Sequence, residues 1–191
     1  MYPPRAAVAA CGPIDHFEPN IYYLSFKRAR LAMDLKSVHI IYASTSGHTE
    51  YVAQLLTAAL RDKLGQQVSC TRAEESQLRS LTECNVLVLA AATWNTGGVE
   101  GQLNPHMAEL LDHRASNADL YGKACACVAL GDDRYYYTAR AADHLERYVV
   151  SHGGYFAVPV LKLINEPYGQ EDIVRRWASA LTHVVASRTR S

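Results

Sequence analysis

From residue 37 onward, short apolar or β-branched runs alternate with segments of helical period, and this rhythm limits the possible folds more than any other feature. The runs occupy residues 38–42, 67–71, 85–91, 124–130 and 155–163. The third, NVLVLAA, is apolar almost throughout, as a strand covered on both faces must be. Between the runs, Val52, Leu55, Leu56, Ala59 and Leu60 recur at three- and four-residue spacings on one helix face, ended by Gly65. A polar helical segment spans 73–81, and Ala142, Leu145 and Val149 mark a helix that stops at Gly153 and Gly154. A last helix after Gln170 presents Ile173, Val174, Trp177, Leu181 and Val184 as its buried face. Five such units with right-handed crossovers predict an α/β architecture: a doubly wound, five-stranded parallel sheet in the order 2-1-3-4-5, with helices on both faces. In that order a ligand is expected beyond the carboxyl ends of strands one and three, where the winding reverses.

Composition narrows the partners. Basic and acidic side chains number 19 each, so the balance provides no electrostatic footprint for nucleic acid or an acidic membrane. No apolar stretch approaches the roughly 18 residues of a membrane span. Cys11, Cys70, Cys84, Cys125 and Cys127 are an odd number without paired metal spacing, which fits a reducing, cytoplasmic setting. Residues 1–36 carry Pro3, Pro4, Pro13 and Pro19 and no clear period, so an irregular arm is expected before a domain over 37–191. Val8 to Cys11 resemble a lipoprotein cleavage site, but the apolar segment of about 7–15 residues that export requires is missing. Met33, just before the first strong strand, leaves a later start open.

Three loops are predicted to meet at the carboxyl edge. Ser44, Thr45, Ser46, Gly47, His48 and Thr49 follow the first strand and open a helix, where unpaired N–H groups and the positive end of the dipole attract an anion. A helix cap needs one hydroxyl and this loop has four, which points to a phosphate. The loop lacks the lysine of nucleoside triphosphatases, and no G-x-G-x-x-G follows the strand, so ATP and NAD are poor candidates. After the third strand come Thr93, Trp94, Asn95, Thr96, Gly97 and Gly98, a glycine-containing loop whose Trp offers a face to a flat ring. After the fourth come Gly131, Asp132, Asp133, Arg134, Tyr135, Tyr136 and Tyr137.

The segments VHIIYASTSGHTEYVA, ATWNTGG, ALGDDRYYY and EDIVRRWA resemble the flavodoxin family over about 150 residues from Val38, in its short-chain form. The resemblance implies a flavodoxin-like domain binding flavin mononucleotide (FMN). Ser44, Ser46, His48 and Thr49 would hold its phosphate with nearby amides, and Thr45 would contribute mainly backbone. Trp94 and Tyr135 occupy the places of the ring-flanking aromatics, with Tyr136 or Tyr137 the alternatives if the loop shifts. Backbone at Asn95, Thr96, Asp132 and Tyr137, with Thr93, Gly97 and Gly131 beside them, would meet the polar ring edge.

The resemblance further implies a monomeric electron carrier that passes single electrons between a flavodoxin or ferredoxin reductase and an acceptor enzyme. The alternative is an FMN-dependent NAD(P)H:quinone reductase, or another small-molecule reductase, of the same fold. This chain departs from the family in three ways. Asn95 stands at a backbone hinge that is glycine in many members, which makes the turn costlier. Arg134 replaces a small polar residue beside the ring, where it either favours the fully reduced, anionic flavin or pairs with Asp132 or Asp133. The charge is near neutral where the family is acidic: after five basic and three acidic residues in 1–36, 14 basic and 16 acidic remain, a balance that gives little steering.

Overall fold

The computed structural model describes residues 37–95 and 97–187; the expected N-terminal arm and Thr96 lie outside them. Strands β1 (Val38–Ala43), β2 (Val68–Arg72), β3 (Val86–Trp94) and β5 (Ala124–Gly131) run parallel in the spatial order β2-β1-β3-β5. Two short strands, β6 (Tyr155–Phe156) and β7 (Leu161–Ile164), complete the edge, both parallel to β5. The predicted order therefore holds once β6 and β7 are taken as the fifth strand.

The expected fifth strand over 155–163 is thus broken. Ala124 pairs with Tyr155 but Val128 with Leu161, so the offset grows by two residues across the gap. Pro159, which has no N–H for the ladder, lies in that gap, and an edge position tolerates the bulge. Its carbonyl accepts from Trp177 Nε1 at 2.7 Å.

Alternation along the central strands builds two cores. Ile40, Val88, Ala90, Ala126 and Val128 face α1 (His48–Leu64) and α5 (Glu171–Ser187), meeting Val52, Leu56, Leu60, Val174 and Leu181. Ile41, Leu87, Leu89, Cys125 and Cys127 face the other way, toward α2 (Leu78–Thr82), α3 (Pro105–Glu109) and α4 (Ala141–Ser151). Burial pushes the Cys125 thiol up to about 12, so it is an inert packing group. Of the expected α5 face, Ile173 is instead exposed, and Ala178 and Val185 complete the stripe. The i, i+4, i+7 and i+11 spacing from Val174 through Ala178 and Leu181 to Val185 fits a straight apolar seam better than one begun at Ile173.

Two further segments depart from the sequence reading. The helix expected over 73–81 is a 3-10 turn, Ala73–Glu75, followed by the five-residue α2. Ser76 interrupts it by donating to the Arg72 carbonyl at 2.8 Å, and Gln77 and Ser80 then form a reciprocal cap. Residues 99–123, to which the sequence assigns no element, contain β4 (Gln102–Leu103), α3 and a π-helical turn at Leu110–Arg114. β4 folds back antiparallel onto Thr93 and Trp94, and that partner extends β3 three residues past its predicted end at Ala91. Trp94 is accordingly the last residue of a strand and not part of a loop.

Candidate functional site

At the carboxyl edge of the sheet, the β1–α1, β3–β4 and β5–α4 loops surround a cleft of about 240 Å3. Ser46, His48, Thr93, Trp94, Asn95, Gly131, Asp132 and Tyr135 line it, together with Arg134, Asn165 and Glu166. A larger cleft of about 390 Å3 lies between α4 and the π-helical turn, lined by Asp112, His144 and Arg147 among others.

The β1–α1 loop is shaped by Gly47, whose φ of 90° lets the chain turn left-handed into the helix with open space where a side chain would be. Its N–H donates to Ser44 Oγ at 3.1 Å, so the buried Ser44 hydroxyl closes the turn from within. The helix ladder starts with Tyr51 N–H to the Gly47 carbonyl at 2.9 Å, which leaves the amides of His48, Thr49 and Glu50 ahead of it. Ser46 is exposed, and Thr49, 1% exposed, has a hydroxyl with no hydrogen-bond partner among the described residues. Thr45 is turned away from the cleft, its Oγ1 accepting from Asn104 Nδ2 at 3.1 Å. His48 Nε2 lies 3.1 Å from Glu166 Oε2.

Two supports of this loop carry no sequence signal. Arg72, at the end of β2, donates to the Ser44 carbonyl at 3.0 Å and pairs with Glu50 at 3.4 Å. Asn104 is 1% exposed and also caps α3 by accepting from His106 N–H at 3.1 Å. Both act across long stretches of chain, so no local motif could have announced them.

The β3–β4 loop is drawn together by Asn95, whose Oδ1 accepts from Gly101 N–H at 2.9 Å. Gly97, with φ 74°, is exposed and does not line the cleft. Thr93 Oγ1 accepts from Ala141 N–H at 3.0 Å, tying β3 to the start of α4.

The β5–α4 loop is closed by a close approach: a Cβ on Gly131 would lie 2.2 Å from the Ala139 nitrogen. Ala139 itself has a left-handed φ of 51°. Of the three tyrosines, only the half-buried Tyr135 lines the cleft. Tyr137 packs over Gly101, with the Arg140 guanidinium 4.5 Å from its ring centre, and Tyr136 is 87% exposed. Tyr136 and Tyr137, the register alternatives, lie outside the cleft.

Asn165, at φ 68°, pins this loop from the β7–α5 side. Its N–H donates to the Gly131 carbonyl at 2.7 Å, and its side chain meets Asp133 N–H at 3.1 Å and Asp133 Oδ2 at 3.0 Å. Sequence reasoning missed Asn165 and Glu166, which belong to a connection that no motif marks. Arg134 folds onto Asp132, with Nε 2.9 Å from both carboxylate oxygens. The guanidinium holds the Asp132 carboxyl down at about 2. Of the two readings of Arg134, the structure therefore selects the paired one.

Among the described residues no group of histidine, cysteine and acidic side chains could hold a metal ion, and no helix is long and apolar enough to cross a membrane. The cleft joins Ser46 and the start of α1, with its free amides, to the aromatic side chains of Trp94 and Tyr135, which suits an anion attached to a flat ring.

Comparison with known proteins agrees with this geometry. The family model for flavodoxin matches residues 40–177. A probable flavodoxin 2 of Bacillus subtilis is 26% identical over 138 residues, covering 72% of this chain and 88% of its own. A flavodoxin of Nitratidesulfovibrio vulgaris is 30% identical over 146 residues, covering 75% and 95% respectively. The crystal structure of oxidised flavodoxin 2 from Bacillus cereus superposes with a TM-score of 0.69 at 28% identity, over 77% of this chain and 98% of that one. The chain belongs to the flavodoxin family.

Proposed function

We propose that this protein is an electron carrier that holds FMN in the cleft at the carboxyl edge and passes single electrons between redox partner proteins. The observation that carries the reading is the turn at Gly47. It leaves the Ser46 and Thr49 hydroxyls and the amides of His48, Thr49 and Glu50 without partners among the described residues, a donor set at a helix start that suits an anion. Such a donor set, lacking lysine, fits a phosphate monoester. Trp94 and Tyr135, which line the same cleft, would flank the ring, and backbone at Asn95 and Asp132 would meet its polar edge. Bound there, the flavin supplies the redox chemistry. The protein's share is to fix the ring's orientation, to keep water from its faces with the two aromatics, and to leave an edge open for a partner.

Ser44 acts through the loop, since its hydroxyl is used by Gly47. Asp132 and Arg134 neutralise each other beside the ring, so Arg134 adds little field to the flavin. The four described cysteines are free thiols, which supports a reducing, cytoplasmic setting. The test is to purify the protein, record its visible spectrum and mix it with NADPH with and without a ferredoxin reductase. A yellow protein that is reduced only when the reductase is present supports the carrier. Rapid NADPH oxidation by the protein alone would replace it with a reductase, and a colourless protein that takes up no FMN would overturn both.

A further inference from the structure

One group in the cleft runs against anion binding. Glu166 places a carboxylate in the lining, 3.1 Å from His48 Nε2 at the start of α1. The backbone that carries it is held on both sides. Asn165 is bonded to Gly131 and Asp133, and Gln170 Nε2 donates to the carbonyls of Ile164 and Glu166, each at 2.8 Å. Tyr168 meets the His48 ring edge-on at 5.8 Å and itself leans on Tyr51 at 4.9 Å. Tyr51 in turn donates to Glu171 at 2.6 Å. The charged and titratable groups around His48 are thus Glu166 and Tyr168 from the β7–α5 connection, Tyr51 with Glu171 behind it, and the Asp132–Arg134 pair lining the same cleft. Glu50 is turned away, toward Tyr42 and Arg72.

A neutral imidazole has one N–H, and an imidazolium has two. With Nε2 engaged by Glu166, the neutral ring turns a lone pair on Nδ1 outward, and Nδ1 has no partner among the described residues. The protonated ring serves a carboxylate and a phosphate at once. We propose that His48 is shared between Glu166 and the phosphate of the bound flavin, so that phosphate recognition in this cleft takes up a proton. This rests on the reading that the cleft holds FMN. Glu166 then competes for the histidine at high pH and cooperates with the phosphate in holding its proton at low pH, which makes cofactor retention sensitive to pH.

The phosphate itself ionises near pH 6, so the effect is isolated by comparing variants. The apo-protein, His48→Asn and Glu166→Gln are titrated with FMN and with riboflavin, which lacks the phosphate, from about pH 6 to about pH 8. The ratio of wild-type to His48→Asn affinity for FMN is expected to fall about tenfold over that range, while the ratio for riboflavin stays near one. Glu166→Gln is expected to strengthen FMN binding several-fold at the alkaline end, by freeing the imidazole N–H. Parallel FMN curves for wild type and His48→Asn would overturn the sharing while leaving the FMN reading intact. The same pH response to riboflavin would also overturn it, since the phosphate would then be irrelevant. Failure of the wild type to bind either flavin would overturn the sharing together with the function it rests on.

Discussion

Two of the three loops that frame the cleft, β1–α1 and β5–α4, are built in different ways. The β1–α1 loop spans four residues, 44–47, between a buried strand and a long helix, and its turn is set by one glycine at φ 90° and one serine three residues earlier, with Arg72 and Asn104 bracing it from distant segments. The β5–α4 loop is longer, and its shape is imposed from outside: Asn165 lies 32 residues from the Asp133 it holds, and Tyr137 packs over Gly101. A turn specified locally announces itself in the sequence and a contact made at long range does not, although both shape the same cleft.

Substitutions that loosen one loop and spare the other test this contrast. The largest effect is expected from Gly131→Ala, because the new Cβ would meet backbone at 2.2 Å and backbone cannot step aside as a side chain can. We expect about 3 kcal/mol of lost stability by urea unfolding of the apo-protein, with weakened binding of FMN and riboflavin alike. Gly47→Ala has open space but must hold a left-handed φ, at a cost of about 1–2 kcal/mol, and should weaken FMN binding much more than riboflavin binding. Equal loss of both flavins would show that the two loops are not independent.

Asn165→Ala removes two side-chain bonds to Asp133, worth about 1–2 kcal/mol together. By releasing the Tyr135 loop it should lower riboflavin affinity, measured by quenching of flavin fluorescence. The smallest effect is expected from Arg134→Ala. The folded Asp132 carboxyl sits at about 2, below its ordinary value, so the pair contributes stability that is present above about pH 4 and lost as the pH falls toward about 2. Acid unfolding curves of Arg134→Ala and wild type should therefore differ slightly near neutrality and merge at the acid end. The flavin potentials should hardly change, since the guanidinium is already paired.

The same contrast explains what the sequence could and could not convey. Strands β1, β3 and β5 are legible because both faces are covered and each run is apolar almost throughout, and α1 because its apolar stripe and closing glycine are local. The break between β6 and β7 was not, although Pro159 was in plain view, because an apolar run around a proline still has strand composition. The short α2 is not legible in the sequence because Ser76 donates to the Arg72 carbonyl and interrupts the helical pattern.

By itself the sequence determined the α/β order, the turn at the start of α1 and the aromatic character of the two neighbouring loops. All of these depend on residue types within a few positions of one another. The tertiary structure alone decided that Trp94 ends a strand, that Tyr135 and not its neighbours faces the cleft, that Arg134 is neutralised by Asp132, and that Glu166 reaches His48. Apart from the Arg134–Asp132 pair, which the sequence offered as one of two readings, each of those outcomes turns on contact with a distant segment. Such contacts are set by packing and hydrogen bonding across the fold, which local periodicity does not record.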